Sequence, residues 1–145
     1  MLSELGFYSL VFGLISATLI SFKSINLFYQ KNIIFPKSLN LIIFFQLFFT
    51  VISFLFLTLS FIFSDFGNVT VYNNSHTLKP LFYKISGVWG NHEGSLLLWL
   101  LVLTGIIFIF STNSKNLNSK YIALTIFFQE IIIIGFFLFI IFTSN

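Results

Sequence analysis

Four long apolar runs separated by short polar joints set the pattern of this chain of 145 residues. A helix needs about 20 mainly apolar residues to cross the hydrocarbon layer of a bilayer. The runs at 5–22, 39–63, 87–110 and 121–142 meet or approach that length. In the first, Ser9, Gly13, Ser16 and Ile20 fall on one side of a helix, a small-residue face that lets another helix come close. The second is the longest and richest in phenylalanine. The third makes a full span only if its helix starts ahead of Ser95, near Gly87, with Ser86 as N-cap. The pattern predicts an all-α, polytopic membrane protein: one membrane domain over 1–145, four transmembrane helices and one outer-side loop at 64–86.

That loop is the longest polar segment. At 66–74 its β-branched centre and paired asparagines predict a short extended segment and a turn. After Pro80, residues 81–85 are amphipathic and suit the membrane interface, with Phe82 and Tyr83 as anchors. Lysines set the orientation, because basic residues in short loops favour the side of insertion. Lys23, Lys31 and Lys37 follow the first run, and Lys115 and Lys120 follow the third, with no acid in either joint. The 64–86 loop holds Asp65, Lys79 and Lys84 and so belongs on the outer side.

Composition narrows the function classes. The chain is 57% hydrophobic and 8% charged, against about 25% charged in soluble domains. It has no cysteine, hence no disulfide, thiolate metal site or redox pair. Its net charge of +3 rests on scattered lysines, with no basic face to read a nucleic acid. The start lacks the positive flank and cleavage site of a secretory signal, so the first run is expected to be retained as a span. No catalytic set is present, neither a phosphate loop nor a nucleophile with a base and orienter. Two histidines, His76 and His92, and 4 scattered acids are too sparse for a metal site.

Polar chemistry concentrates in Trp89-Gly90-Asn91-His92-Glu93-Gly94-Ser95-Leu96-Leu97-Leu98-Trp99. On a helix starting near Gly87, Trp89, His92, Leu96 and Trp99 share one face at spacings of three, four and three. A flat apolar ligand with a polar edge could lie there; an aromatic belt at the membrane end is the other reading. Gly90 and Gly94 form a small-xxx-small pair for close approach of a helix or ligand. Glu93 suits the positive end of a helix dipole. His92 is either a metal or haem-iron ligand or a hydrogen-bonded structural group. Glu130, mid-way along the fourth run, is the intramembrane ionisable residue. It is either a proton site or a buried group that is protonated or hydrogen-bonded, with Gln46 as candidate partner.

The 89–99 stretch resembles the W-G-x-H-E-G-S-L-L-L-W motif of CcmF-type cytochrome c haem lyases, with one free position, at Asn91. The opening Met1-Leu2-Ser3-Glu4-Leu5-Gly6, the 65–72 stretch and the closing Phe142-Thr143-Ser144-Asn145 are also similar to that family. The resemblance implies covalent attachment of haem to apocytochrome c, with a haem chaperone delivering haem on the outer face. The family's tryptophan-rich haem segment and its axial histidines have no counterpart here. The expectation is therefore an N-terminal portion of a split lyase, not catalytic alone, whose partners are the remaining lyase fragment, haem chaperone, apocytochrome c and membrane lipid. Trp89, Gly90, His92, Glu93, Gly94, Ser95 and Trp99 are the candidate haem-handling or assembly residues; Glu130 matches no family motif. The motif helix is expected to pack on the missing part through Gly90 and Gly94. A non-catalytic subunit bracing a respiratory complex is the alternative, and a small transporter using Glu130 a third. A bias to Phe, Ile, Asn and Lys without arginine is what an AT-rich organelle genome produces. The expected location is the mitochondrial inner membrane with the loop in the intermembrane space, or else a bacterial inner membrane with the loop periplasmic.

Protease added to the outer face of sealed vesicles should cut around Asn73 and Asn74. Cleavage there from the inner face alone would reverse the orientation.

Overall fold

The structure is a computed structural model that describes residues 2–30, 36–114 and 117–143. Lys31 and Lys115, two of the lysines used for orientation, lie outside the described residues. Among the described residues there are six helices: α1 (Leu2–Tyr29), α2 (Lys37–Ile62), α3 (Val69–Asn74), α4 (Leu81–Gly87), α5 (His92–Asn113) and α6 (Ser119–Thr143). Among the described residues there is no strand. α1, α2, α5 and α6 are long and apolar enough to cross a membrane. Even the shortest, α5 with 22 residues, is about 33 Å long at 1.5 Å per residue, against a hydrocarbon core of about 30 Å.

The four long helices form a ring in which α1 lies between α2 and α6, and α5 lies between the same two. α1 and α5 occupy one diagonal, α2 and α6 the other. Many polar residues of the spans point inward. Ser16, Gln46, Thr50, Ser53, Ser60, Thr104 and Glu130 are buried, while Phe12, Phe44, Phe45, Phe48 and Phe128 lie on the outer surface. Lipid solvates phenylalanine as well as a protein core does, so apolar burial does not choose the inner face; packing and hydrogen bonding do. Most buried hydroxyls bond back to their own helix, as Ser16 Oγ donates to the Phe12 carbonyl at 2.9 Å and Thr50 Oγ1 to that of Gln46 at 2.8 Å.

Small residues bring α1 into the ring. Gly6, Ser9, Gly13, Ser16, Ala17 and Ile20 make its buried face, the side picked out by the spacing of small residues. Ser53 Oγ on α2 donates to the Gly6 carbonyl at 3.1 Å. At Gly13 the Phe137 ring of α6 lies so close that a Cβ would stand 2.6 Å from Cζ. Phe137 is one of the fully buried large side chains, and Gly13 makes its room.

Between α2 and α5 the chain is more helical than its composition suggests. The expected extended segment at 66–74 is instead the single turn and a half of α3. Asn68 Oδ1 accepts from Thr70 N at 2.9 Å at its start, and Asn74 Nδ2 donates to the Thr70 carbonyl at 2.9 Å at its end. With both ends closed by side chains, three β-branched or small residues suffice for a short helix. α2 ends in a tight reversal at Ser64, whose φ of 54° is left-handed. Asp65 N bonds to the Ser60 carbonyl at 2.9 Å and Ser64 N to that of Phe61 at 3.2 Å, the pattern that usually recruits glycine. Lys84 Nζ of α4 donates to Ser64 Oγ at 2.6 Å. A second small core, Phe61, Val71 and Val88, holds α3 and the end of α4 against α2. Leu81, Phe82 and Tyr83 remain exposed along α4.

Gly13→Leu should separate α1 from α6. An overpacked core site costs about 1–3 kcal/mol, measurable as a lower thermal midpoint in lipid. Gly105→Leu is the control, because a Cβ at Gly105 meets open space.

Candidate functional site

The 89–99 motif is built around a break between two helices. α4 ends at Gly87 and α5 starts at His92, so residues 88–91 are a joint and no continuous helix runs from Gly87. The residue that organises the joint is Asn91, the free position of the motif. Its Oδ1 accepts from Gly94 N at 2.7 Å, which makes Asn91 the N-cap of α5. Its Nδ2 donates to the carbonyls of Gly87 at 2.9 Å and Val88 at 3.0 Å. One buried side chain thus caps the helix that begins and satisfies two carbonyls left by the helix that ends. Ser86 is not the cap; it sits in α4 and donates to the Tyr83 carbonyl at 3.4 Å.

This joint explains Gly94. A Cβ there would overlap the Val88 carbonyl oxygen. Gly94 is buried within this chain and Gly90 precedes the helix, so the two do not form a free small-residue face for another helix. That expectation is corrected: Gly94 serves the chain's own turn, and Gly90 lies exposed in the joint. Ser95 continues the local pattern, with its N–H bonding to the Asn91 carbonyl at 3.1 Å and its Oγ donating to that of His92 at 2.9 Å.

The break also changes the aromatic face. Trp89 lies in the joint, outside α5, and shares no helical register with the rest. His92, Leu96 and Trp99 do share one face of α5, beside the buried stripe of Leu97, Leu100 and Thr104; His92 and Trp99 are exposed and Leu96 is half-buried against the core. Trp99 is 61% exposed and Trp89 46%. The His92 ring meets Phe139 of α6 edge to face at 6.0 Å. His92, Leu96, Ile132, Gly135, Phe136 and Phe139 line an open, apolar surface groove of about 420 Å³ between α5 and α6. Glu93 turns the other way, in the first turn of α5 where a negative charge suits the dipole. It borders a small cleft of about 60 Å³ among Ser3, Gly6, Ser53, Asn68 and Thr70 at the same end of the ring. His76 is exposed in the turn before α4. Among the described residues no three metal-ligating side chains come together.

Glu130 is far from this end. It is fully buried near the middle of α6, and Gln46 Nε2 of α2 donates to its Oε2 at 2.8 Å. The structure therefore brings together the pair suggested by the sequence. The residue that reading the motif missed is Asn91. Its signal was present: an asparagine just ahead of an apolar run, with Glu93 in the turn that follows, is an N-cap pattern.

No family model matches the chain. It is 46% identical over 93 residues to the cytochrome c-type biogenesis protein CycK of Rhizobium meliloti (strain 1021), covering 64% of this chain and 14% of that protein. It is 44% identical over 82 residues to the cytochrome c-type biogenesis protein CcmF of Haemophilus influenzae (strain ATCC 51907 / DSM 11121 / KW20 / Rd), covering 57% of this chain and 13% of that protein. The same organism's cytochrome c-type biogenesis protein NrfE matches all of this chain at 32% identity, over 23% of its own length. The chain belongs to the CcmF family of cytochrome c-type biogenesis proteins. It spans less than a quarter of the length of these relatives, a coverage that fits an N-terminal portion. Among solved structures, a cytochrome c haem lyase CcmF superposes with a TM-score of 0.86 at 23% identity, over 94% of this chain and 23% of that one. At that identity the likeness establishes the fold: the four-span ring is that of a CcmF segment.

Asn91→Ala should cost about 2 kcal/mol, the sum expected for a lost cap and orphaned carbonyls. Asn91→Ser, which can still cap, should recover part of it, and Gly94→Ala should cost more than either. Thermal midpoints in lipid, with protease sensitivity of the 88–91 joint, would check this order.

Proposed function

We propose that this chain supplies the N-terminal membrane portion of a cytochrome c haem lyase and assists covalent attachment of haem to apocytochrome c. The observation that carries the reading is the pair of exposed side chains His92 and Trp99 flanking half-buried Leu96 on one face of α5, whose start the Asn91 joint sets. Its relatives are named for cytochrome c biogenesis, which gives the bracing-subunit alternative no support.

Haem is here the substrate, and the residues present supply only part of what would hold it. His92 offers an imidazole nitrogen, and Leu96, Phe136 and Phe139 an apolar shelf beside it. The groove is open on its far side, so this chain's own residues do not close around a porphyrin. No catalytic step is therefore assigned to them. Their role is to form one wall, complete only when the remainder of the lyase covers α5 and α6. In that reading Trp89 and Trp99 are anchors for the covering part or for the apocytochrome, since exposed tryptophans at a membrane end make strong contacts there. Gly94 and Ser95 keep the wall in register, and Glu93 faces the cleft behind it.

The loop end belongs on the side where cytochromes c are matured, the intermembrane space of a mitochondrion or the periplasm of a bacterium. Lys37 and Lys120 at the opposite helix ends, and Lys23 toward the same end of α1, support that orientation. The strong compositional bias favours the mitochondrial inner membrane; the relatives named above are bacterial. A haem chaperone would then approach from the loop side.

The chain, tagged and purified from membranes that contain a complete maturation system, should bring down a tryptophan-rich membrane partner and haem. Trp99→Ala and His92→Ala should each lower that recovery at least about tenfold, or about 1.4 kcal/mol, and lower covalent haem in c-type cytochromes with it. Phe12→Ala, on the outer face of α1, should leave both unchanged. Recovery that is equal in all three variants would refute the proposal.

A further inference from the structure

The pair at the centre of the ring has more to say than a single hydrogen bond. Gln46 Nε2 donates to Glu130 Oε2, yet Gln46 Oε1 and Glu130 Oε1 have no partner, although both are buried. Both residues are fully enclosed. An ionised carboxylate and an amide carbonyl left this way place two bare acceptors side by side in a water-poor core, where an unpaired polar group is costly. Among the described residues no cation stands beside them. The lysines of the spans stand near one end of the ring, Lys23 toward the end of α1, Lys37 at the start of α2 and Lys120 in the first turn of α6. The nearby hydroxyls are already engaged as donors: Thr50, one turn along α2, bonds to the Gln46 carbonyl, and Thr104 on α5 bonds to that of Leu101 at 3.0 Å. Gln129, the neighbour of Glu130, points its amide to the Leu103 carbonyl at 3.4 Å.

One proton resolves all of this. A carboxylic acid is a donor as well as an acceptor, and an amide is both. We infer that Glu130 is held as a neutral acid and forms a reciprocal two-bond clasp with Gln46, closing the α2–α6 diagonal without any charge. The amide N–H donates to Oε2, as observed, and the acid O–H on Oε1 donates to Gln46 Oε1. The second bond forms by rotation about the terminal torsions of the two side chains, which are soft. The clasp fixes the axial register of α2 against α6, two helices that are not ring neighbours. Glu130 is then a positioning residue for the ring, and the inference is independent of any role in haem attachment.

The test is infrared spectroscopy of the full chain in lipid bilayers, together with whatever partners it retains, with ¹³C-labelled glutamate at neutral pH. The expected result is a band of a protonated, hydrogen-bonded carboxylic acid that moves with the label and is absent from Glu130→Gln. That variant replaces the acid by an amide able to make the same two bonds, so its thermal midpoint should match the parent. Gln46→Leu should keep the acid band but shift it to higher frequency, as the carbonyl loses its donor, and lower the midpoint. If the acid band is missing and Glu130→Gln instead removes a carboxylate band, the neutral clasp is wrong. It is equally wrong if Gln46→Leu leaves the acid band where it was.

Discussion

The three hydrogen bonds of the Asn91 side chain decide where α5 begins, and the loop end of the ring follows from that start. A helix end placed at a membrane surface carries backbone groups that water reaches poorly, so they need partners from the protein itself. Asn91 answers groups of two helices at once. With α5 starting at His92, the imidazole is its first residue, Glu93 lies in the first turn, and Gly94 is the only residue type that clears the Val88 carbonyl. The motif is thus first of all a folding device, and its chemistry is displayed by that device.

The rest of the ring obeys a polarity opposite to that of a soluble bundle. Gln46, Thr50, Thr104 and Glu130 are inside, and phenylalanine is largely outside. Gly6 and Gly13 let α1 approach until Ser53 reaches a backbone carbonyl and Phe137 fills the space a side chain would have taken. Close approach and a few polar contacts hold such a ring, because moving an apolar group from lipid to protein yields little.

Much of this was legible in the chain. Four long apolar helices and the small-residue face of α1 follow from run length and spacing, which are strong signals when lipid forbids other backbone forms. The pairing of Glu130 with Gln46 was legible as a need for a partner. What the pattern could not carry was decided by side chains acting on backbone. Asn68 and Asn74 turn a β-branched stretch into α3, and Asn91 cuts Trp89 off from the face of His92, Leu96 and Trp99. Periodicity counts apolar positions and is blind to such caps. The glycines misled for a related reason: Gly90 and Gly94 have the spacing of a helix-packing pair, but the carbonyl that needs Gly94 comes from six residues earlier in the same chain.

The Gln46–Glu130 contact joins positions 84 residues apart in sequence. A ribosome delivers α2 long before α6, so during synthesis the amide waits in the bilayer or the insertion channel with its intended acceptor not yet made. α1 waits likewise for Phe137. α1, α2 and α5 are therefore a provisional assembly until α6 arrives and locks them.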